Sequence, residues 1–265
     1  MLTIIIAILI GCGVAWGSYY EWGWAWAVVN GAFITIVVQL VVGLYIRKQV
    51  GRVHGKIQAV MQDKQVKLNR MANQFMRRPV GGIKTMQQIM EKEQSGGVRQ
   101  ALEMTSELEK WFRWNILLEK QINTMRMMFH YQLKEFSKVD ALMPRCLMFD
   151  ARAVAMKIAR MYKNGDEKFM QFFKKKVKRA KGDDAALLYS LCAWILVKQN
   201  KLDDALNLLI EAKKKTEHEN IIHNWELLAN GKAKQFSNAA LGDIWYALHL
   251  EEQKVKVQKE RHVMR

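Results

Sequence analysis

Two prolines in 265 residues, Pro79 and Pro144, leave little to interrupt a helix. That scarcity excludes proline-rich linkers, and the abundance of Met, Leu, Lys, Glu, Gln and Ala predicts helix nearly throughout. Cysteine is equally sparse. Cys12, Cys146 and Cys192 stand far apart, with no CxxC pair and no Cys/His cluster, which excludes a disulfide framework and a zinc module. They read as reduced packing residues. Also missing are a GxGxxG turn, a phosphate-cradling GxxxxGK loop and a Ser or Cys set in a glycine elbow. The nearest approach to a catalytic or metal cluster is His218, Glu219, His223 and Glu226. Histidines five apart point to different sides of a helix, so Thr216 and Glu219 read instead as a capping box. Met125, Met127 and Met128 could suggest soft-metal binding, but Met125 and Met128 fall on an apolar helical stripe and read as core. No enzyme, cofactor or metal is expected.

Charge is missing from one region in particular. Residues 1–46 hold a single ionised side chain, Glu21, so the net +17 of the chain leaves +18 for residues 47–265. Uncharged stretches run over 2–16 and 24–46, the second long enough to cross a bilayer core, which needs about 20 residues. The reading is a two-helix transmembrane hairpin over residues 1–46. A short turn over 17–23 joins its arms. Trp16, Trp22, Trp24 and Trp26 cluster at that turn, where aromatic rings with one polar edge mark a membrane interface. Arg47, Lys48 and Arg52, followed by Lys56, mark the other interface, and the positive-inside rule makes it cytoplasmic. The expected location is a cell inner membrane, multi-pass, with the N-terminus and everything after residue 46 in the cytoplasm. Small residues four apart, Ala7/Gly11, Gly13/Gly17 and Ala27/Gly31, suit close packing of the two arms, with dimerisation between copies as the alternative. Asn30 and Gln39 are neutral amides suited to hydrogen bonds between helices. A rival reading takes Leu9-Ile10-Gly11-Cys12 as a lipoprotein lipobox acylated on Cys12. The lack of a basic region before the apolar run and the second span so close behind argue against it.

Residues 47–97 read as a juxtamembrane basic amphipathic helix and a hinge. Val50, Val53, Ile57, Met61, Leu68, Met71 and Phe75 draw one stripe, interrupted by Lys64. Such a stripe suits either a coiled coil that makes a homodimer or a helix lying on an anionic leaflet. Breaks are expected at 79–82 and at Ser95-Gly96-Gly97.

From 98 to 252 the chain reads as helices joined by short turns, with a basic tail over 253–265. Leu108, Phe112, Ile116, Ile122, Met125, Phe129, Leu133 and Phe136 keep helical spacing over nearly thirty residues, apart from one longer step around Glu119. Helices are expected over 151–163 and 167–180, then 185–199 and 205–215, then 221–230 and 238–252. Val139, Met170, Ala205 and Ala240 recur at intervals near 34 residues, the period of helix-turn-helix solenoids. Tyr189, Ala193, Ala205, Leu209 and Ala212 resemble the tetratricopeptide repeat (TPR) family, which places an aromatic, a small residue, then Ala, a bulky residue and Ala in this order. Trp225 and Ala229 repeat the aromatic-plus-small pair. The resemblance spans roughly residues 118–252, with the closing proline absent and Met170 in place of an alanine. A hairpin followed by such repeats is also similar, in topology only, to HemY-like bacterial inner-membrane proteins.

The fold class expected is therefore all-α, a transmembrane hairpin followed by a TPR-like solenoid. The resemblance implies a scaffold or adaptor that binds protein partners in a groove. Two basic runs, Lys174, Lys175, Lys176, Lys178 and Arg179, and Lys213, Lys214 and Lys215, form the candidate surface for an acidic partner or anionic lipid. Aromatic residues do not interleave with them as nucleic-acid stacking requires. The alternative is a subunit of a transport or envelope-assembly complex in which the hairpin is the working part.

Overall fold

A computed structural model of the chain describes residues 2–77, 82–114 and 116–252. Every regular element among them is a helix. Pro79, Val80, Gly81 and the basic tail 253–265 lie outside the described residues. Contacts divide the chain into two compact units, Met1–Leu147 and Met148–Arg265. The expected junction at residue 97 falls inside a helix of the first unit.

In the first unit, α1 (Leu2–Arg77) is a helical run folded back at Gly23. Gly23 has φ 80° and ψ 174°, a backbone region open essentially only to glycine. The seven-residue turn expected over 17–23 therefore shrinks to one hinge: a first arm, Leu2–Glu21, stays helical to its end, and the second arm is Gly23–Met76. Thr3 meets Gln39, Gly11 meets Gly31 and Thr35, and Ser18 meets Asn30, so the arms run antiparallel. The second arm continues without a break past Ile46 into the charged sequence.

The stripe on that continuation is covered from within the chain. α2 (Ile83–Met104) returns antiparallel along it, with Lys64 and Lys67 ion-paired to Glu93 at 3.6 and 3.0 Å and Lys56 to Glu107 at 3.7 Å. The Lys67 ammonium, bonded to Glu93, holds that carboxyl below the usual range. Val53 and Ile57 of the second arm join Val98, Ala101 and Leu108, then Leu118, Ile122 and Phe129, in one buried cluster. Fully burying each such aliphatic side chain contributes about 1.5–3 kcal/mol. The break expected at Ser95-Gly96-Gly97 does not occur. A side chain at Gly97 would meet Lys64 Cγ at 2.8 Å, so glycine here lets two helices approach and does not end one. After α2 the chain tightens into a 3-10 turn (Thr105–Trp111), then forms α3 (Ile116–Gln132) and α4 (Phe136–Leu142). The stripe from Leu108 to Phe136 therefore crosses two breaks, the second closed by Lys134 at φ 59°.

In the second unit, α5 (Ala151–Lys163), α6 (Phe169–Val177), α7 (Gly182–Lys198), α8 (Leu202–Lys213) and α9 (Glu219–Ala229) follow one another. Asp150 starts α5 by accepting from Arg152 N at 2.7 Å. Gly165 at φ 71° and Asn200 at φ 59° close the turns after α5 and α7. α7 is central. Residues 185–196 are all buried, as a helix that packs on several sides requires. It touches α5, α6, α8 and α9.

The helix expected over 238–252 does not form. Asn238 is buried instead, its Nδ2 donating to Ser190 O at 2.9 Å while its Oδ1 accepts from Asn220 and Asn224 at 3.0 and 3.1 Å. One 3-10 turn (Ala239–Leu241) and a single helical turn, α10 (Asp243–Tyr246), follow, with Gly242 at φ 62° between them. Side-chain bonding to a fixed backbone carbonyl competes with helix here and wins. Ala240 is consequently exposed and belongs to no repeat helix. The cap of α9 also differs from expectation: His218 is the N-cap, its Nδ1 accepting from Asn220 N at 3.1 Å, and Thr216 Oγ1 accepts from His218 N just before the helix.

Candidate functional site

The apolar hairpin is a seam with an outward apolar coat. Ala7 and Ala27 are buried with Gly11 and Gly31 at the seam, where a side chain on Gly11 would lie 2.7 Å from Gly31 O and strike the Thr35 hydroxyl. Gly13 and Gly17 have open space around them, so of the three small-residue pairs only Ala7/Gly11 and Ala27/Gly31 serve the packing. Two polar contacts lie on the seam: Asn30 Nδ2 donates to Ser18 Oγ at 3.3 Å, and Thr35 Oγ1 donates to Gly31 O at 2.8 Å.

Away from the seam the side chains are large, apolar and exposed: Trp16 is 70% exposed, Trp24 74%, Phe33 63% and Leu44 64%. Both arms are long and apolar enough to cross a membrane. Soluble monomers rarely expose contiguous apolar patches beyond a few hundred Å². Trp16, Trp24 and Trp26 are exposed close to the Gly23 reversal, together with Tyr19 and Tyr20. The side chain of Trp22 lies outside the described residues. At the other end Ile46 is buried, while Arg47, Lys48 and Arg52 are exposed. Cys12 is exposed on the coat, Cys146 half-buried and Cys192 buried, and none of them forms a disulfide among the described residues. Burial pushes the Cys192 thiol well up, which keeps it protonated.

The basic runs of the second unit separate into different surroundings. Lys174, Lys175, Lys178, Arg179 and Lys214 are exposed and form no ion pair among the described residues. Lys176 is half-buried, donating to Met148 O at 2.9 Å and lying over the Phe172 and Phe149 rings. Lys213 sits 3.4 Å from the centroid of the Trp225 ring, and Lys215 pairs with Glu211 at 3.8 Å. Three of the eight candidate cations thus have partners within the fold. A groove of about 460 Å³ takes Lys174 and Lys201 together with Glu167, Asp204 and Glu211, so it is mixed in sign and not uniformly basic. A smaller one of about 300 Å³ has Lys175, Lys176 and Arg179 around Phe149, Val154 and Leu188, with Asp184 beside them.

Sequence reasoning missed Phe149, which is 71% exposed beside Lys176. Its signal was available: a large aromatic immediately before the Asp150 cap lies off the stripe of the helix that follows. Of the repeat residues, Tyr189, Ala193, Ala205, Leu209 and Ala212 are all fully buried on α7 and α8. Trp225 is half-buried and Ala229 exposed at the end of α9, so that pair does not repeat the packing. Met170 is half-buried while its neighbours Phe169 and Phe173 are buried. Among the methionines of α3, Met127 is the most buried, and Met125 and Met128 are half-buried. His223 is exposed and His218 is occupied as a cap.

No protein-family model, curated protein or solved structure matches this chain.

Proposed function

We propose that this protein is a membrane-anchored adaptor. The observation that carries the reading is the second arm of α1, one helix that changes at Ile46/Arg47 from exposed apolar side chains to exposed cations without a break. In this reading the hairpin crosses a cell inner membrane twice, the Trp-rich reversal faces outward, and residues 47–265 lie in the cytoplasm on the positive-inside rule. The second unit then acts as a TPR-like module for an acidic protein partner. Supporting the repeat reading, α7 and α8 bury the full aromatic-small-Ala-bulky-Ala set, and α5, α7 and α9 pack in succession. Exposed Lys175 and Arg179, with the exposed Phe149, supply charge and an apolar anchor on one face.

Four measurements test the proposal together. The chain should stay in the membrane fraction after carbonate washing, and a reporter fused after Arg265 should be active only in its cytoplasmic form. Periplasmic activity would reverse the orientation. Partners captured from mild detergent should be released as salt rises and lost in a Lys175→Glu, Arg179→Glu double variant. Full function retained after deletion of residues 148–265 would sink the adaptor and leave the hairpin as the working part.

A further inference from the structure

Where the hairpin meets the charged part of α1, the first unit forms an open cavity of about 580 Å³. Its lining is polar at Thr3, Gln39, Arg47 and Gln121 and apolar at Ile4 and Leu117. Both apolar side chains are also about half exposed on the outer surface, so the cavity is continuous with the coat of the hairpin. Leu2 N donates to Arg113 O and Thr3 Oγ1 to Trp114 O, which fixes the start of the first arm against the turn before α3.

One polar atom in the wall is left over. Gln39 Nε2 donates to Thr3 Oγ1 at 3.5 Å, and the threonine hydroxyl spends its own proton on Trp114 O at 3.3 Å. That chain of donors orients the amide and leaves Gln39 Oε1 buried with no donor among the described residues. A buried acceptor without a donor is unfavourable. Eight residues further along the same helix stands Arg47, about 12 Å away along the axis, with a side chain able to lean back toward the cavity. A guanidinium at one end suits a phosphodiester and an orphan carbonyl at the other suits a hydroxyl.

We propose that this cavity binds the headgroup of an anionic glycerophospholipid of the phosphatidylglycerol type. The phosphate pairs with Arg47, a headgroup hydroxyl donates to Gln39 Oε1, and the acyl chains leave past Ile4 and Leu117 along the hairpin. The inference rests on the membrane reading above and adds a specific lipid site to it. Gly43 lines the same cavity and has nothing within 4 Å of where a side chain would begin, so a leucine there can start without a clash and occupy part of the space with no change of charge.

The test uses the full chain in mild detergent and counts lipid adducts by native mass spectrometry, with phosphatidylglycerol and phosphatidylcholine of identical acyl chains. Phosphatidylglycerol should be preferred about tenfold, because only its headgroup hydroxyls can supply the donor that Gln39 Oε1 lacks, whereas both lipids carry the phosphate that pairs with Arg47. Gln39→Leu and Gly43→Leu should each remove most of that preference, Arg47→Gln should weaken binding of both lipids, and Lys48→Gln, next along the helix but outside the cavity, should leave both within about twofold. Equal binding of the two lipids overturns the site. So does an unchanged preference in Gly43→Leu, or a loss in Lys48→Gln matching that in Arg47→Gln, since a diffuse basic belt would behave in that way. Helical circular dichroism of each variant separates misfolding from loss of the site, and Gly43→Leu carries the test if Arg47→Gln misfolds. Carbonate release of the wild-type chain overturns the anchor and the site together, whereas retention without lipid preference overturns only the site.

Discussion

Tyr189 of α7 donates its hydroxyl to Glu211 Oε1 of α8 at 2.7 Å from a fully buried position. The bond spans the helix pair that carries the most complete repeat pattern in the chain. Glu211 also pairs with Lys215 and lines the mixed-charge groove, so one carboxylate links the interior of the second unit to its surface.

Burial first, and then the Glu211 hydrogen bond and charge, push the Tyr189 phenol far above its ordinary range. The folded state thus holds a proton that the unfolded chain releases near pH 10. The resulting stabilisation is complete below about pH 10 and is lost as pH rises toward the folded value. Tyr189→Phe should cost about 1–2 kcal/mol at neutral pH. Denaturant melts between pH 8 and 11 should then show a shallower alkaline decline in the variant than in the wild type. Parallel declines would remove Tyr189 as the cause.

The hairpin seam predicts a contrast between glycines on the same arm. Gly11→Leu should force the arms apart or cost about 2 kcal/mol or more from overpacking, because backbone and a short side chain face it. Gly13→Leu should be tolerated, since nothing lies within reach. Thermal unfolding in detergent, with spin-label distances between the arms, reads both.

Gly96 and Gly97 should respond in opposite directions. Gly96 lies in a helix interior with open space, so Gly96→Ala should stabilise by roughly 0.5–1 kcal/mol. Gly97→Leu meets Lys64 at its Cβ and Cγ, the rigid root of that side chain, and should destabilise. Chemical denaturation of the two variants against wild type decides it.

Asn238→Ala should destabilise the second unit by about 3 kcal/mol, because Asn220, Asn224 and the Ser190 carbonyl would lose partners in a buried site. Hydrogen exchange should rise first over residues 233–252. Unchanged protection there would mean that the network does not hold the segment.

Much of this architecture was legible because it depends on local pattern. The charge step at Arg47, the apolar arms and the bounds of α5 follow from composition, periodicity and an Asp cap, which act within a few residues. Where sequence reasoning went wrong, a distant partner decided the outcome. Ser95-Gly96-Gly97 reads as a break until Lys64 is packed on Gly97, and 238–252 reads as helix until Asn238 is bonded to Ser190, 48 residues away. Likewise Lys174 and Lys176 are neighbours in one basic run, yet one lines a groove and the other is drawn onto Met148 and two phenylalanine rings.

The sequence by itself determined that the chain is helical, that its first 46 residues are nearly free of charge and that its cations begin at their edge. Helix propensity and the preference of apolar side chains to leave water are local properties, summed residue by residue. Only the tertiary structure decided that the hinge is Gly23 alone, that α2 covers the stripe beyond the hairpin, and that Gln39 and Arg47 share a cavity. Those outcomes depend on which surfaces meet, and a steric contact or an unmet hydrogen bond exists only once they do.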